Sequence, residues 1–149
     1  MELKRSLVDV GDIARAAIAL SEERARHRNI ALNAEIPPNL PSISADGDRL
    51  QRVILNLLDN AIKFTPGGGR VTLTVTQGEG EVEVSVHDTG RGMSEEQRGR
   101  AFEPYYRGEG GGVGLGLTIA RAIVEAHDGR MGIESNLGQG SRVWFTLPF

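Results

Sequence analysis

Two short runs of alternating apolar and polar residues lie on either side of a glycine-containing segment, residues 78–80. The apolar residues are Val71, Leu73 and Val75 before the segment, and Val82, Val84 and Val86 after it. Because successive side chains of a strand point to opposite faces of a sheet, each run predicts a strand with one buried face. The glycines between the runs predict a tight turn, so the two strands should form a hairpin. A sheet with one apolar face needs a second layer to cover it.

Three segments with apolar residues at three- and four-residue steps predict helices that supply this layer. They are residues 10–27, capped by Asp9, a segment that follows a cap at Asp46, and residues 115–127. Further strands are expected over residues 29–36, 131–136 and 142–147. These elements predict an α+β fold, in which one mixed sheet of about five strands is covered on one face by three helices.

The composition excludes several classes of protein. The chain has 149 residues, enough for one core, and we expect residues 1–149 to form a single domain. With 17 basic residues against 20 acidic ones and a net charge of -3, it lacks the basic field that favours nucleic acid. The absence of cysteine excludes disulfides, thiolate metal sites and a cysteine nucleophile. The Met1 end lacks the apolar run of a signal peptide, so we expect a cytoplasmic location without membrane contact.

The second helix carries polar residues beside its apolar face. Asn56, Asn60 and Lys63 follow one another at steps of four and three, so they fall on one arc of the helix. Amide oxygens suit a hard cation such as Mg²⁺, and a lysine supplies a point charge to phosphates. An ordinary solvated polar face explains the same spacing equally well.

The segment Asp88-Thr-Gly90-Arg-Gly92 ends the second strand of the hairpin. Strand alternation puts Asp88 on the same face as the buried valines, where a carboxylate is costly unless a donor reaches it. The exocyclic amine of a purine is one such donor, and Gly90 and Gly92 would let a flat ring approach the backbone. The alternative is that Asp88 only hydrogen-bonds its own turn.

A glycine-rich run, residues 110–116, leads directly into the third helix. Bare amides at a helix N-terminus favour an anion, although a flexible loop has a similar composition. Two common phosphate motifs are absent. No G-x-G-x-x-G opens this helix, and no Lys-Ser or Lys-Thr follows a glycine loop as a Walker A motif requires.

Taken in order, four motifs resemble the N, G1, F and G2 boxes of sensor histidine kinases. They are Asn56-x-x-x-Asn60-Ala-x-Lys63, Asp88-x-Gly90-x-Gly92, Phe102-Glu-Pro-Tyr105 and Gly112-Val-Gly-Leu-Gly116-Leu. The resemblance is to the catalytic and ATP-binding domain of that family, a GHKL-type domain with the Bergerat fold, and it covers essentially the whole chain. It implies an α/β sandwich that binds ATP and Mg²⁺ and has protein histidine kinase activity.

The resemblance also implies a role for each matching residue at the phosphate end of the nucleotide. Asn60 would ligate Mg²⁺, and Asn56 beside it would contact phosphate or metal. Lys63 would contact the phosphates, and Arg107 would point to the γ-phosphate.

The remaining matching residues are implied to hold the adenine and form the ATP lid. Phe64, where the family often has tyrosine, would pack on the adenine ring, and Asp88 would accept from the adenine amine near Gly90 and Gly92. The lid residues implied to face the phosphates are Gly112, Gly114, Leu115 and Gly116. Only residues 108–111 separate Arg107 from this run, so the lid is shorter than in many family members.

Position 56 bears on the type of reaction. In hydrolytic relatives, such as the ATPase domains of type II topoisomerases, this position is a glutamate that activates water. Asn56 is an amide that cannot take a proton, which favours phosphoryl transfer over hydrolysis. A GHKL-type ATPase or serine-directed kinase, and a nucleotide-binding module without turnover, are the alternatives.

The family phosphorylates a histidine in a separate helical dimerisation domain, and no such motif precedes the matched region. His27, His87 and His127 are expected to be structural or solvent-facing. We therefore expect a catalytic fragment, monomeric by itself, with residues 1–8 as the remnant of a linker. The expected partners are ATP, the histidine-bearing dimerisation domain and, through that domain, a response regulator.

Overall fold

The computed structural model describes residues 1–103 and 114–149, with side chains from residue 116 onward in the second range. In chain order the elements are β1 (Ser6–Val8), α1 (Val10–His27), β2 (Ala31–Glu35), β3 (Ile43–Ala45), α2 (Gly47–Phe64), β4 (Arg70–Gln77), β5 (Glu81–Asp88), α3 (Glu95–Arg100), α4 (Gly114–Ala126), β6 (Arg130–Ser135) and β7 (Ser141–Pro148). In the described ranges, no helix combines the length and apolarity needed to cross a membrane.

Five strands form one mixed sheet in the order β2-β4-β5-β7-β6. β2 is parallel to β4, and every other neighbouring pair is antiparallel. In the predicted hairpin, Leu73 lies opposite Val86 and Val75 opposite Val84. The α+β fold with one mixed sheet of five strands is thus confirmed.

The core lies between one face of the sheet and the three long helices. Leu73 and Val84 on the sheet are 0% exposed, so the strand alternation identified the buried face correctly. The apolar residues that recur at three- and four-residue steps along α2 are buried: Leu50, Val53, Ile54, Leu57, Leu58 and Ala61. α2 contacts both α1 and α4, and Asn56 on its polar arc hydrogen-bonds the Gly116 carbonyl of α4.

Two features of the fold were not predicted. β1 and β3, of three residues each, form a separate antiparallel pair. α3 has six residues and lies between β5 and the glycine-rich run, where no helix was predicted, and Ser94 and Gln97 form a capping box at its start. Segments this short carry too few residues to show a periodicity, although the spacing of Ser94 and Gln97 was a usable signal. The interpretation of residues 1–8 as a linker stays a prediction.

Asp46 caps α2 as expected and joins three parts of the chain. One carboxylate oxygen accepts from the Arg49 amide at 3.2 Å, and the other accepts from the Lys4 amide at 3.0 Å. The backbone amide of Asp46 donates to Nε2 of His127 at 3.0 Å. The Lys4 hydrogen bond is the main cause of a lowered pKa of the Asp46 carboxyl, with further help from Arg49.

Replacing Asp46 by alanine is expected to lower the free energy of unfolding by about 1 to 2 kcal/mol at pH 7, because the cap is lost. Since the folded-state pKa of Asp46 is below its unfolded value, the ionic part of this contribution is complete above about pH 4. It is lost as the pH falls through the folded pKa. Urea unfolding at pH 7 and pH 3 should therefore show a smaller loss at pH 3. Asp48→Ala is the control, because Asp48 is an exposed residue in the same turn. If Asp46→Ala lost the same free energy of unfolding at both pH values, the ionic contribution of Asp46 would be contradicted.

Candidate functional site

The polar arc of α2 faces the first turn of α4. Asn56 and Asn60 are partly buried, whereas Lys63 is exposed one turn further on. The Asn56 side-chain amide donates to the carbonyl oxygen of Gly116 at 3.4 Å. The structure therefore brings together the second helix and the glycine-rich start of the third long helix, as the site prediction requires.

Asn60 has a side-chain nitrogen that is fully buried and has no hydrogen-bond partner in the described part of the chain. Buried amide groups are almost always paired, because an unpaired one loses its interaction with water. A ligand oxygen, such as one of a phosphate, is an acceptor that would satisfy it. This orphaned group is the clearest sign that α2 presents its polar arc to a ligand.

The donor set around Asn60 also fits a magnesium ion held together with phosphates. Within residues 1–103 and 114–149, no three His, Cys, Asp or Glu side chains are grouped to hold a metal. The available protein ligands are the amide oxygens of Asn56 and Asn60. Mg²⁺ commonly takes only one or two protein ligands and fills its other positions with water and substrate phosphate oxygens.

The C-terminal turn of α2 carries Lys63 and Phe64. The Lys63 ammonium lies 5.4 Å from the centroid of the Phe64 ring, within the range of a cation–π interaction. The next residue, Thr65, is buried, and its hydroxyl donates to the Ala61 carbonyl at 2.7 Å. A cationic group and a partly buried aromatic ring thus lie side by side at the end of this helix.

Asp88 is the last residue of β5 and is only 8% exposed. One of its carboxylate oxygens accepts from the Gly90 amide at 2.8 Å, and the Ser141 amide also donates to the carboxylate. Burial raises the pKa of the Asp88 carboxyl, and the two amides oppose this rise. The turn hydrogen bond weighed as the alternative is therefore present. Two amides use only part of the acceptor capacity of a carboxylate, so a further donor can still bind.

Gly90 and Gly92 hold the Asp88 loop against other parts of the fold. A Cβ on Gly90 would lie 2.8 Å from the Phe64 carbonyl oxygen, so the lack of a side chain lets this loop reach the end of α2. Gly92 has a φ of 74°, and a Cβ there would overlap the Asn136 carbonyl. Both close approaches are to protein backbone. The approach of a purine ring stays a prediction.

Part of the predicted site lies outside the described residues: Tyr105, Arg107, residues 108–111 of the lid, and Gly112. Gly114 begins α4 and Leu115 follows it, but the Leu115 side chain is also outside the description.

Phe102, in the third motif, is partly buried and packs against the core. Its carbonyl accepts from the Thr118 hydroxyl at 2.8 Å, and the Arg121 guanidinium lies 5.0 Å from its ring centroid. These contacts show that Phe102 anchors its segment to α4.

Sequence reasoning missed a pair of buried serines beneath Asp88. Ser141 pairs with Ser135 across the last two strands, and their hydroxyl oxygens are 2.8 Å apart. The Ser135 hydroxyl also accepts from the Met93 amide at 2.7 Å. No spacing in the sequence indicates this network, because it depends on which strands become neighbours.

The three histidines take no part in the polar arc. His27 and His87 are exposed. His127 is buried, and its ring nitrogens contact the Asp46 amide and, at 2.8 Å, the Ile123 carbonyl. These positions agree with the structural or solvent-facing roles expected for them.

Comparisons with known proteins identify relatives of this chain. Histidine protein kinase DivJ of Caulobacter vibrioides is 39% identical over 99% of this chain and 26% of the relative. Adaptive-response sensory kinase SasA of Synechococcus elongatus is 41% identical over 85% of this chain and 34% of the relative. The chain therefore spans about a quarter to a third of these relatives.

Solved structures show the same fold. Full-length ShkA in complex with AMPPNP has a TM-score of 0.90 at 37% identity, covering 100% of this chain and 32% of that one. The nucleotide-free catalytic domain of histidine kinase ThkA has a TM-score of 0.86 at 30% identity, covering 99% and 96%. Residues 45–149 match the family described as histidine kinase-, DNA gyrase B-, and HSP90-like ATPases. The chain belongs to this ATPase family and, within it, to the ATP-binding catalytic domains of histidine kinases.

Proposed function

We propose that this chain is the catalytic domain of a two-component sensor histidine kinase that binds ATP and Mg²⁺. It transfers the γ-phosphoryl group to a histidine on a separate dimerisation domain, for onward transfer to a response-regulator aspartate. The observation that carries the proposal is the buried side-chain nitrogen of Asn60, which has no hydrogen-bond partner among the described residues and lies on the helix face that meets the start of α4. The AMPPNP complex of ShkA supports the nucleotide, and the complex of ThkA with response regulator TrrA supports the signalling partner.

The residues divide between the two ends of the nucleotide. Asp88 accepts from the adenine amine, since its buried carboxylate has acceptor capacity left after Gly90 and Ser141. Phe64 packs on the ring. Asn60 and Asn56 would hold Mg²⁺, and Lys63 would add positive charge beside the phosphates. Mg²⁺ held there would supply positive charge that offsets the negative charge developing on the transferring phosphoryl group.

The transfer step needs a nucleophile from outside this chain. An imidazole nitrogen of the acceptor histidine forms a bond to the γ-phosphorus as the bond from that phosphorus to the β-γ bridging oxygen breaks, and ADP leaves. Asn56 has no basic oxygen to activate water, so the site positions the phosphoryl group for a second domain. Arg107 and the lid residues Gly112, Gly114, Leu115 and Gly116 are proposed to complete the γ-phosphate end.

The setting of the fragment is part of the proposal. Residues 1–149 act as one catalytic domain, with residues 1–8 as a linker from the dimerisation domain. The fragment is monomeric and works in the cytoplasm, whether or not the parent protein is anchored in a membrane. No nucleic-acid or membrane contact is assigned to it, in keeping with its net charge of -3.

Calorimetric titration with AMPPNP, with and without Mg²⁺, tests the nucleotide site. We expect Mg²⁺ to tighten AMPPNP binding. Asn60→Ala should reduce this Mg²⁺-dependent increase in affinity by at least about tenfold, because a metal ligand is lost. Asn33→Ala, on the exposed edge strand β2, is the matched control and should keep the full Mg²⁺ effect. Binding that is independent of Mg²⁺ in the unaltered chain would contradict the metal assignment.

The acceptor is tested by adding a separately purified dimerisation domain of the parent kinase and γ-labelled ATP. Label on the histidine of that domain supports the proposal. Release of inorganic phosphate without any acceptor would favour the hydrolytic ATPase, and binding with neither product would favour a nucleotide-binding module.

A further inference from the structure

Arg28 lies at the end of α1 and contacts the end of α2. Its Nε donates to the carbonyl oxygen of Ile62 at 3.3 Å, and its Nη2 donates to that of Lys63 at 3.0 Å. The last four carbonyls of a helix have no partner within the helix, so these bonds satisfy two groups that would otherwise depend on water. We propose that Arg28 is a positioning residue that fixes the final turn of α2 for nucleotide binding. This inference rests on the proposed function.

The final turn of α2 is the part of the proposed nucleotide site whose backbone is most able to move. Lys63 and Phe64 are the last two residues of the helix, and helix ends fray in the absence of capping contacts. The carbonyl that receives the Nη2 bond belongs to Lys63 itself. A bond at this atom therefore restricts the backbone from which the phosphate-contacting side chain projects.

Arg28 is itself held in place by its backbone. It forms the C-cap of α1, and its amide donates to the carbonyls of Arg24 and Ala25. The next residue, Asn29, accepts from the Gly68 amide at 2.7 Å, in the loop that follows α2. The end of α1 is thus tied to the loop that follows α2, so the backbone from which the Arg28 side chain projects is held beside α2.

The contact requires the particular shape of arginine. Two nitrogens of one planar guanidinium donate to two consecutive carbonyl oxygens. The single ammonium of a lysine cannot reproduce this geometry. The positive charge also lies at the negative end of the helix dipole, where it is favourable. In the described part of the structure, the side-chain hydrogen bonds from Arg28 to α2 go to these two carbonyls, so its effect on nucleotide binding passes through the backbone of Lys63 and Phe64.

The test compares AMPPNP affinity in Arg28→Gln, Arg28→Lys and Arg26→Gln. Arg26→Gln is the control, because it removes the same charge from the last turn of α1. In the described part of the structure the Arg26 side chain makes no hydrogen bond to α2. We expect Arg28→Gln to weaken binding by about two- to fivefold, the change that corresponds to losing a charge at a helix C-terminus. Arg28→Lys should recover part of the loss, and Arg26→Gln should bind like the unaltered chain.

A double-mutant cycle with Lys63→Gln separates positioning from a general loss of stability. If Arg28 acts through Lys63, the Arg28→Gln change should weaken binding less when Lys63 is already replaced. Hydrogen exchange at the Lys63 and Phe64 amides, measured without nucleotide, should be faster in Arg28→Gln.

The possible failures can be told apart. Equal AMPPNP affinity in Arg28→Gln and the unaltered chain would overturn this inference alone. So would strictly additive effects in the cycle together with unchanged hydrogen exchange at the Lys63 and Phe64 amides. An unaltered chain that does not bind AMPPNP would overturn the proposed function, and this inference with it.

Discussion

Replacing Asp88 by asparagine is expected to weaken AMPPNP binding by about 10- to 100-fold, the range for losing a hydrogen bond to a buried charged group. Asp88 is only 8% exposed, and its carboxylate has only acceptor atoms when it is ionised. Asparagine has the same shape, but in the proposed complex it would turn an NH₂ group in place of an oxygen toward the adenine amine, so two donors would meet. Calorimetric titration of both chains with AMPPNP and Mg²⁺ measures the loss.

The same replacement should leave the protein folded. Burial raises the folded-state pKa of Asp88, so ionisation of this group costs stability, and the cost is fully present above the folded pKa. The cost is relieved as the pH falls below that value, and the neutral asparagine removes it at every pH. Thermal unfolding at pH 7 should therefore show little or no loss of stability.

Asp12→Asn provides a control for the loss of one negative charge, since Asp12 is exposed at the start of α1. It should bind AMPPNP like the unaltered chain. Retention of full affinity by Asp88→Asn would remove Asp88 from the purine site. A large fall in its melting temperature would show that the residue is chiefly structural.

The parts of the fold that were predictable are those in which one local pattern matches one buried face. Leu73 and Val75 are buried and the threonines that alternate with them are not, because the helices cover only the apolar side of the sheet. The spacing in α2 likewise identifies its buried side. Neither pattern reports which strands are neighbours, and so the position of β7 between β5 and β6 was not foreseen.

The same distinction between local patterns and tertiary contacts applies to the candidate site. Asn56, Asn60 and Lys63 belong to one helix, so their common orientation follows from helical geometry alone. Arg28 is 34 residues from Ile62 in the chain, and Ser141 reaches Asp88 only after two strands have paired. Such contacts depend on tertiary packing, and arginine and serine are too common in surface segments to indicate them.

Replacing Gly140 by alanine is expected to lower the free energy of unfolding by about 3 to 5 kcal/mol. Gly140 has a φ of 77°, a conformation that costs an alanine about 1 to 2 kcal/mol. In addition, a Cβ at this position would overlap the carbonyl oxygen of Asp88. The strand that begins at Ser141 would have to move away from β5, and the Ser141 amide would move away from the Asp88 carboxylate.

Gly138→Ala is a matched control two residues earlier in the same turn. Gly138 has a nearly identical φ of 79°, but a Cβ there would meet nothing within 4 Å. Its replacement should therefore cost only the backbone strain, about 1 to 2 kcal/mol. Urea unfolding of the two variants measures the difference, which isolates the contact with Asp88 from the conformational cost. Equal losses would mean that β7 shifts freely, and that the close approach of Gly140 to Asp88 does not hold the carboxylate in place.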